Sequence, residues 1–129
     1  MYRLGVRRVF SAAHFLRGYQ GSCEALHGHN WTVEVELLSP RLDDVGMAWD
    51  FRGIKKTLDE ILGELDHRLL NEHPAFADQN PSAENLAAFV YTRLAEQTPA
   101  PLHVARVRVW ESEGTWAAFE PDHAPDVGL

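Results

Sequence analysis

His29-Asn30-Trp31-Thr32-Val33-Glu34-Val35-Glu36-Leu37 is the stretch that decides the fold class. Trp31, Val33, Val35 and Leu37 alternate with Thr32, Glu34 and Glu36. This period of two puts an apolar set on one face of a strand and a polar set on the other. Upstream, Arg3 to His14 reads as another strand, with Leu4, Val6, Val9 and Phe10 as β-formers, followed by loop at Gly18 to Gly21. Downstream, Ser39 to Gly46 is turn-rich. Asp50 is a good N-cap for a helix in which Phe51, Ile54, Leu58, Ile61, Leu62, Leu65 and Leu69 recur at spacings of three and four. Asn71 to Asn80 is a connection. Pro81 and Ser82 open a second helix with Leu86, Phe89, Val90 and Leu94 as its stripe, and Pro99 to Pro101 ends it. Val104, Val107, Val109 and Trp110 mark a third strand and Thr115 to Phe119 a fourth. The order ββααββ predicts an α+β fold: a four-stranded antiparallel sheet with two helices on one face. Its two edge strands need cover or pairing, so self-association is expected.

The chain has 129 residues, 45% hydrophobic and 24% charged, as expected for one globular domain spanning 1–129, with 121–129 as a loosely held tail. No apolar run approaches the roughly 20 residues of a membrane span, and Met1 to Phe10 lacks the apolar core of a signal peptide. A single cysteine excludes an intramolecular disulfide, which suits a cytoplasmic location. A net charge of −7 argues against nucleic acid as a partner, although a local basic cluster can still hold a small anion. Histidine is the unusual component, with seven copies.

His27-Gly28-His29, if extended, points both imidazoles to one side, and the glycine leaves room for close approach. Imidazole is zinc's usual nitrogen ligand, and antiparallel pairing of the first two strands would bring His14 beside the pair. Three histidines without an obvious fourth ligand describe a catalytic site with an open position; the plainer alternative is hydrogen bonding within a turn. Cys23 is a buried small hydrophobe, a base or nucleophile with a depressed pKa, or a fourth ligand closing a structural site. Asp66 borders the first helical stripe and His67 points away from it, so the pair is either solvated or an acid–base element. Glu111, at the end of the third strand, is simply exposed or accepts two parallel hydrogen bonds from a guanidine-like group.

Together these residues strongly resemble the family of 6-pyruvoyl-tetrahydropterin and 6-carboxy-tetrahydropterin synthases. Cys23-Glu24-Ala25-Leu26-His27-Gly28-His29 carries the resemblance. Phe10-Ser11-Ala12-Ala13-His14, Gly46 to Phe51, Leu65 to Asn71, Pro81 to Asn85 and Val109 to Ser112 follow in family order. The resemblance implies a tunnelling fold (T-fold), trimers whose sheets join into a barrel, two trimers stacked as a homohexamer, and active sites between subunits. It implies that His14, His27 and His29 hold Zn2+, that Cys23 is the catalytic base and that Asp66 and His67 relay protons. Glu111 would anchor the pterin ring through its 2-amino and N3 hydrogens, helped by Ser82 and Glu84. Ala83, where relatives often carry a hydroxyl, leaves one pterin-side hydrogen bond without a donor.

The implied activity is a lyase converting 7,8-dihydroneopterin triphosphate to 6-carboxy-tetrahydropterin for queuosine synthesis, with acetaldehyde and triphosphate released. The alternatives are 6-pyruvoyl-tetrahydropterin synthesis and cleavage to 6-hydroxymethyl-dihydropterin with Glu24 as a second base, Glu24 otherwise being a spacer. From another class comes a zinc- or pterin-binding protein without turnover. Arg17, Lys55 and Lys56 are triphosphate candidates by composition alone.

Overall fold

The period-two stretch lies in the second of two long strands, β1 (Tyr2–His14) and β2 (His27–Ser39), which pair antiparallel with Phe10 opposite Trp31 and His14 opposite His27. The computed structural model describes residues 1–21 and 24–122; Cys23 and the tail from 123 onward lie outside the described residues. Helix α1 (Phe51–Gly63), strand β3 (Arg68–Leu69), helix α2 (Ala83–Gln97), strand β4 (His103–Ser112) and strand β5 (Thr115–Phe119) complete the elements, with two 3-10 turns between β3 and α2. The sheet runs β3-β1-β2-β4-β5, antiparallel except for the β1–β3 pair.

One parity of each central strand is buried. Val6, Phe10, Trp31, Val33, Val35, Leu37, Val107 and Val109 pack under Ile54, Leu58 and Ile61 of α1 and Leu86, Val90 and Leu94 of α2. Each such aliphatic side chain removed from water is worth about 1.5–3 kcal/mol, so the two helix stripes and the single sheet face define the core. A bidentate pair from Arg8 on β1 to Asp59 on α1, at 2.8 and 2.6 Å, fastens the helix to the sheet. The opposite face of the sheet carries charge rows: Arg7 pairs with Glu34, and Glu36 joins both Arg3 and Arg106, one carboxylate tying three strands. Among the described residues no helix is long and apolar enough to cross a membrane.

The sheet has five strands rather than four, because Arg68 and Leu69 add parallel to Ala12 and Ala13 at the edge of β1. The first helix stops at Gly63, short of Leu65 and Leu69. Leu65 is fully buried in a turn that follows the helix, and Leu69 is half-buried in the edge strand. A spacing of three and four records which side chains are buried, and a turn can continue that rhythm without continuing the helix. Asp66 and His67 therefore do not lie on a helix face.

Candidate metal centre

The pairing of β1 with β2 places His14, His27 and His29 on the covered face of the sheet, at its end. Trp31 lies beneath them, fully buried. Its indole N–H donates to Ala12 O at 3.2 Å, and the rings of His14 and His29 meet it edge-on at 4.9 and 5.2 Å. His14 Nδ1 donates to Pro81 O at 2.8 Å, and His27 Nδ1 donates to Ala25 O at 2.8 Å. These bonds fix the tautomer of each ring and leave the Nε2 lone pairs free. The two Nε2 atoms then face one another at 3.0 Å, lone pair to lone pair. His29 Nε2 is buried without a hydrogen-bond partner among the described residues; Glu111 Oε1 stands 3.4 Å away, within ion-pair range but not aligned as a hydrogen bond. Burial holds the His29 imidazole below its ordinary pKa, against the pull of Glu111, so the ring stays neutral and able to ligate.

One donor atom from each of His14, His27, His29 and Glu111 lies within 4.8 Å of the others, a group that could hold a metal ion. Ligands about 2.0–2.1 Å from a tetrahedral ion sit about 3.3 Å from one another, close to the 3.0 and 3.4 Å separations here. A cation between opposed lone pairs turns a repulsion into an attraction, so the donor set fits a metal.

Glu111 is absent from a triad reading of the sequence because its reach depends on backbone irregularity. The β4–β5 register shifts between Trp110 and Ser112, a bulge of the kind that re-aims a side chain at a strand end. Gly28 is not needed for close packing within the chain: a Cβ there would meet Ala12 O at 3.8 Å, an ordinary contact.

The other candidates surround the cluster at varying distance. Glu24 Oε1 accepts Leu16 N–H at 3.3 Å and lies 3.8 Å from His27 Nδ1, the ring nitrogen other than the Nε2 that faces His14. Ser82 is the N-cap of α2, its Oγ accepting Asn85 N–H at 3.2 Å, with Glu84 exposed in the first turn. Because Pro81 receives His14, this helix start lies next to the cluster.

Asp66 and His67 form their own pair at 3.0 Å and, among the described residues, do not join the four-donor group. Ser11 N–H, at 2.9 Å, and then the His67 ring hold the Asp66 carboxyl below the usual carboxylate range. His67 has φ +58°, and its N–H donates to Ser11 O at 2.6 Å. A non-glycine residue there costs on the order of 1–3 kcal/mol, and the turn spends it to direct an 80% exposed imidazole outward. His67 and His29 border one open cleft across Ser11 to Ala13.

Two asparagines that no spacing singles out secure the chain leaving His14. Asn71 accepts Phe15 N–H at 3.0 Å and donates to Phe15 O at 2.9 Å; Asn80 does the same for Arg17 at 2.8 and 3.0 Å. The amides act as a substitute strand along β1's continuation. The Arg17 guanidinium is spent on the carbonyls of Gln79 and Asn71, at 3.3 Å each, whereas Lys55 and Lys56 are exposed on α1.

A family model described as 6-pyruvoyl tetrahydropterin synthase matches residues 3–122. The chain is 35% identical over 103 residues to a 6-carboxy-5,6,7,8-tetrahydropterin synthase of Synechocystis sp., covering 76% of this chain and 78% of that protein. It is 33% identical over 109 residues to a dihydroneopterin monophosphate aldolase of Pyrococcus furiosus, covering 84% and 89%. The structure of Caenorhabditis elegans 6-pyruvoyl tetrahydropterin synthase superposes with a TM-score of 0.76 at 26% identity, over 95% of this chain and 98% of that one. With the family match running almost from end to end and the T-fold shared, this chain belongs to the 6-pyruvoyl tetrahydropterin synthase family.

Proposed function

We propose that the protein is a zinc-dependent lyase converting 7,8-dihydroneopterin triphosphate and one water to 6-carboxy-5,6,7,8-tetrahydropterin, with release of acetaldehyde and triphosphate. The observation that carries this reading is the convergence of His14, His27 and His29 on one point, with two rings locked as Nδ1–H tautomers. The kinship with a named 6-carboxy-tetrahydropterin synthase supports the product. A zinc ion held there would serve as a Lewis acid toward the substrate's side-chain hydroxyls, acidifying the neighbouring C–H protons. Glu111 anchors the ring by accepting its 2-amino and N3 hydrogens, with Ser82 and Glu84 alongside. Cys23 removes a proton from side-chain carbon, and Asp66–His67 delivers one elsewhere. In that dyad the ionised Asp66 keeps Nδ1–H of His67 directed at itself, leaving Nε2 to exchange protons with the substrate.

The outward imidazole and its separation from the metal centre support a site completed between subunits of a dimer of trimers, with Asp66–His67 of one subunit serving the histidines of another. The edge of β1 that β3 and the Asp66–His67 turn leave open, from Tyr2 to Phe10, is available for the sheet joining this assembly needs. A second reading, cleavage to 6-hydroxymethyl-dihydropterin with Glu24 as base, is favoured by kinship with the aldolase and by the place of Glu24 beside His27.

Mass spectrometry of products from zinc-loaded protein and 7,8-dihydroneopterin triphosphate separates the readings. A 6-carboxy product with acetaldehyde is expected. A 6-hydroxymethyl product would move the chemistry to Glu24, and no conversion would refute the lyase assignment for this substrate.

A further inference from the structure

We propose that Glu111 is a fourth metal ligand of the resting protein, and that docking of the pterin ring draws it off the metal to open the position the substrate side chain then takes. The inference rests on the metal and pterin roles proposed above. Its basis is that one carboxylate is in reach of two mutually exclusive positions. Glu111 Oε1 is 3.4 Å from the buried, unpartnered Nε2 of His29 and belongs to the four-donor group. The same residue borders a cavity of about 550 Å³ with Asn30, Thr32, Trp110 and Ser112. Its side chain is 38% exposed, so it is free to turn from one to the other.

Accepting two parallel N–H bonds from a planar ring uses both carboxylate oxygens in one orientation, whereas ligation commits one oxygen to the metal. The two states therefore exclude each other. Three imidazoles and a carboxylate close a tetrahedral shell, and three imidazoles alone leave it open. Recognition of the ring would thus unlock the metal for the side chain, so that a molecule lacking the ring finds the metal closed.

The test replaces the native metal with Co2+ in the full oligomer. Visible absorption is followed while 7,8-dihydropterin, which has no side chain to reach the metal, is added. The ring is expected to shift the wild-type cobalt spectrum toward that of Glu111→Gln, whose own spectrum stays put. In chelator competition Glu111→Gln should bind metal about 10–100-fold more weakly, the range found when groups supporting a metal site are lost. Equal spectra and equal affinity in the two proteins would overturn the ligand role. A wild-type spectrum unmoved by saturating dihydropterin would overturn the displacement, and this arm needs no variant. Absence of a cobalt band in wild type, with no effect of His29→Ala on metal content, would refute the metal reading beneath it.

Discussion

Asn80 carries two hydrogen bonds whose loss can be followed one amide at a time. Its side chain accepts Arg17 N–H at 2.8 Å and donates to Arg17 O at 3.0 Å, while Asn71 holds Phe15 in the same way. Asn80→Ala removes both Arg17 bonds and leaves the backbone carbonyl of residue 80, which accepts Asn85 Nδ2–H at 2.8 Å, in place. At about 0.5–1.5 kcal/mol net per bond, the loss is about 2 kcal/mol. For a chain of this size that lowers Tm by about 6–10 °C. Locally, about 1.4 kcal/mol per factor of ten makes the Arg17 amide exchange with deuterium about thirtyfold faster. The Phe15 amide should keep its protection. Metal content should not change, because His14 is oriented by the Pro81 carbonyl rather than by Asn80. Turnover should fall, because the loop toward Cys23 loses one of its two clamps. Residue-resolved hydrogen exchange with metal analysis checks all of this. Unchanged Arg17 exchange, or equal acceleration at Phe15 and Arg17, would refute the idea of two separate clamps.

Asp66→Asn should cut turnover at least a hundredfold while leaving bound metal unchanged, since the dyad stands apart from the four-donor group; kinetics beside metal analysis decides it. Gly53→Ala gains about 1 kcal/mol of helix propensity but sets a Cβ 2.7 Å from Trp49 Nε1, and overpacking of that kind costs about 1–3 kcal/mol. A lower Tm with altered tryptophan fluorescence is expected, and a raised Tm would show that the ring can yield. Glu64 is held below the usual carboxylate range first by its hydrogen bond with His73, at 3.1 Å, and then by Arg93. A folded-state pKa lower than the unfolded one gives stability that is complete above the ordinary carboxylate range and lost as pH falls from there through the lowered folded-state pKa. Denaturation of Glu64→Gln across pH 3–7 should therefore show a shallower acid limb than wild type.

Much of the fold can be read from β2, where Trp31, Val33, Val35 and Leu37 sit at 0% exposure as their alternation requires. The two-residue spacing of His27 and His29 is equally legible, because a strand leaves no choice about which side they take. Asp66 and His67 resist such reading. Their placement follows from one positive φ and a two-residue edge strand, features too short to leave a period. Glu111 resists it for a related reason, since a bulge decides where a strand-end side chain is aimed. Asn71 and Asn80 look like ordinary loop asparagines; their role depends on pairing with residues 56 and 63 positions away.

The Asn80-Pro81 dipeptide also sets where the chain can change length. Asn80 fixes Arg17, Pro81 orients His14, and Ser82 starts α2, so three consecutive residues serve three separate parts of the molecule. Just upstream, Ala77 and Asp78 are exposed. An extra residue there can loop outward into water, as insertions at exposed tips usually do. An extra residue between Asn80 and Pro81 has no such outlet, because it forces the chain to give up either its hold on Arg17 or the carbonyl that sets the histidine. Length variation in this connection should therefore accumulate before Asn80 and stop there, making the dipeptide a fixed boundary for loop grafting.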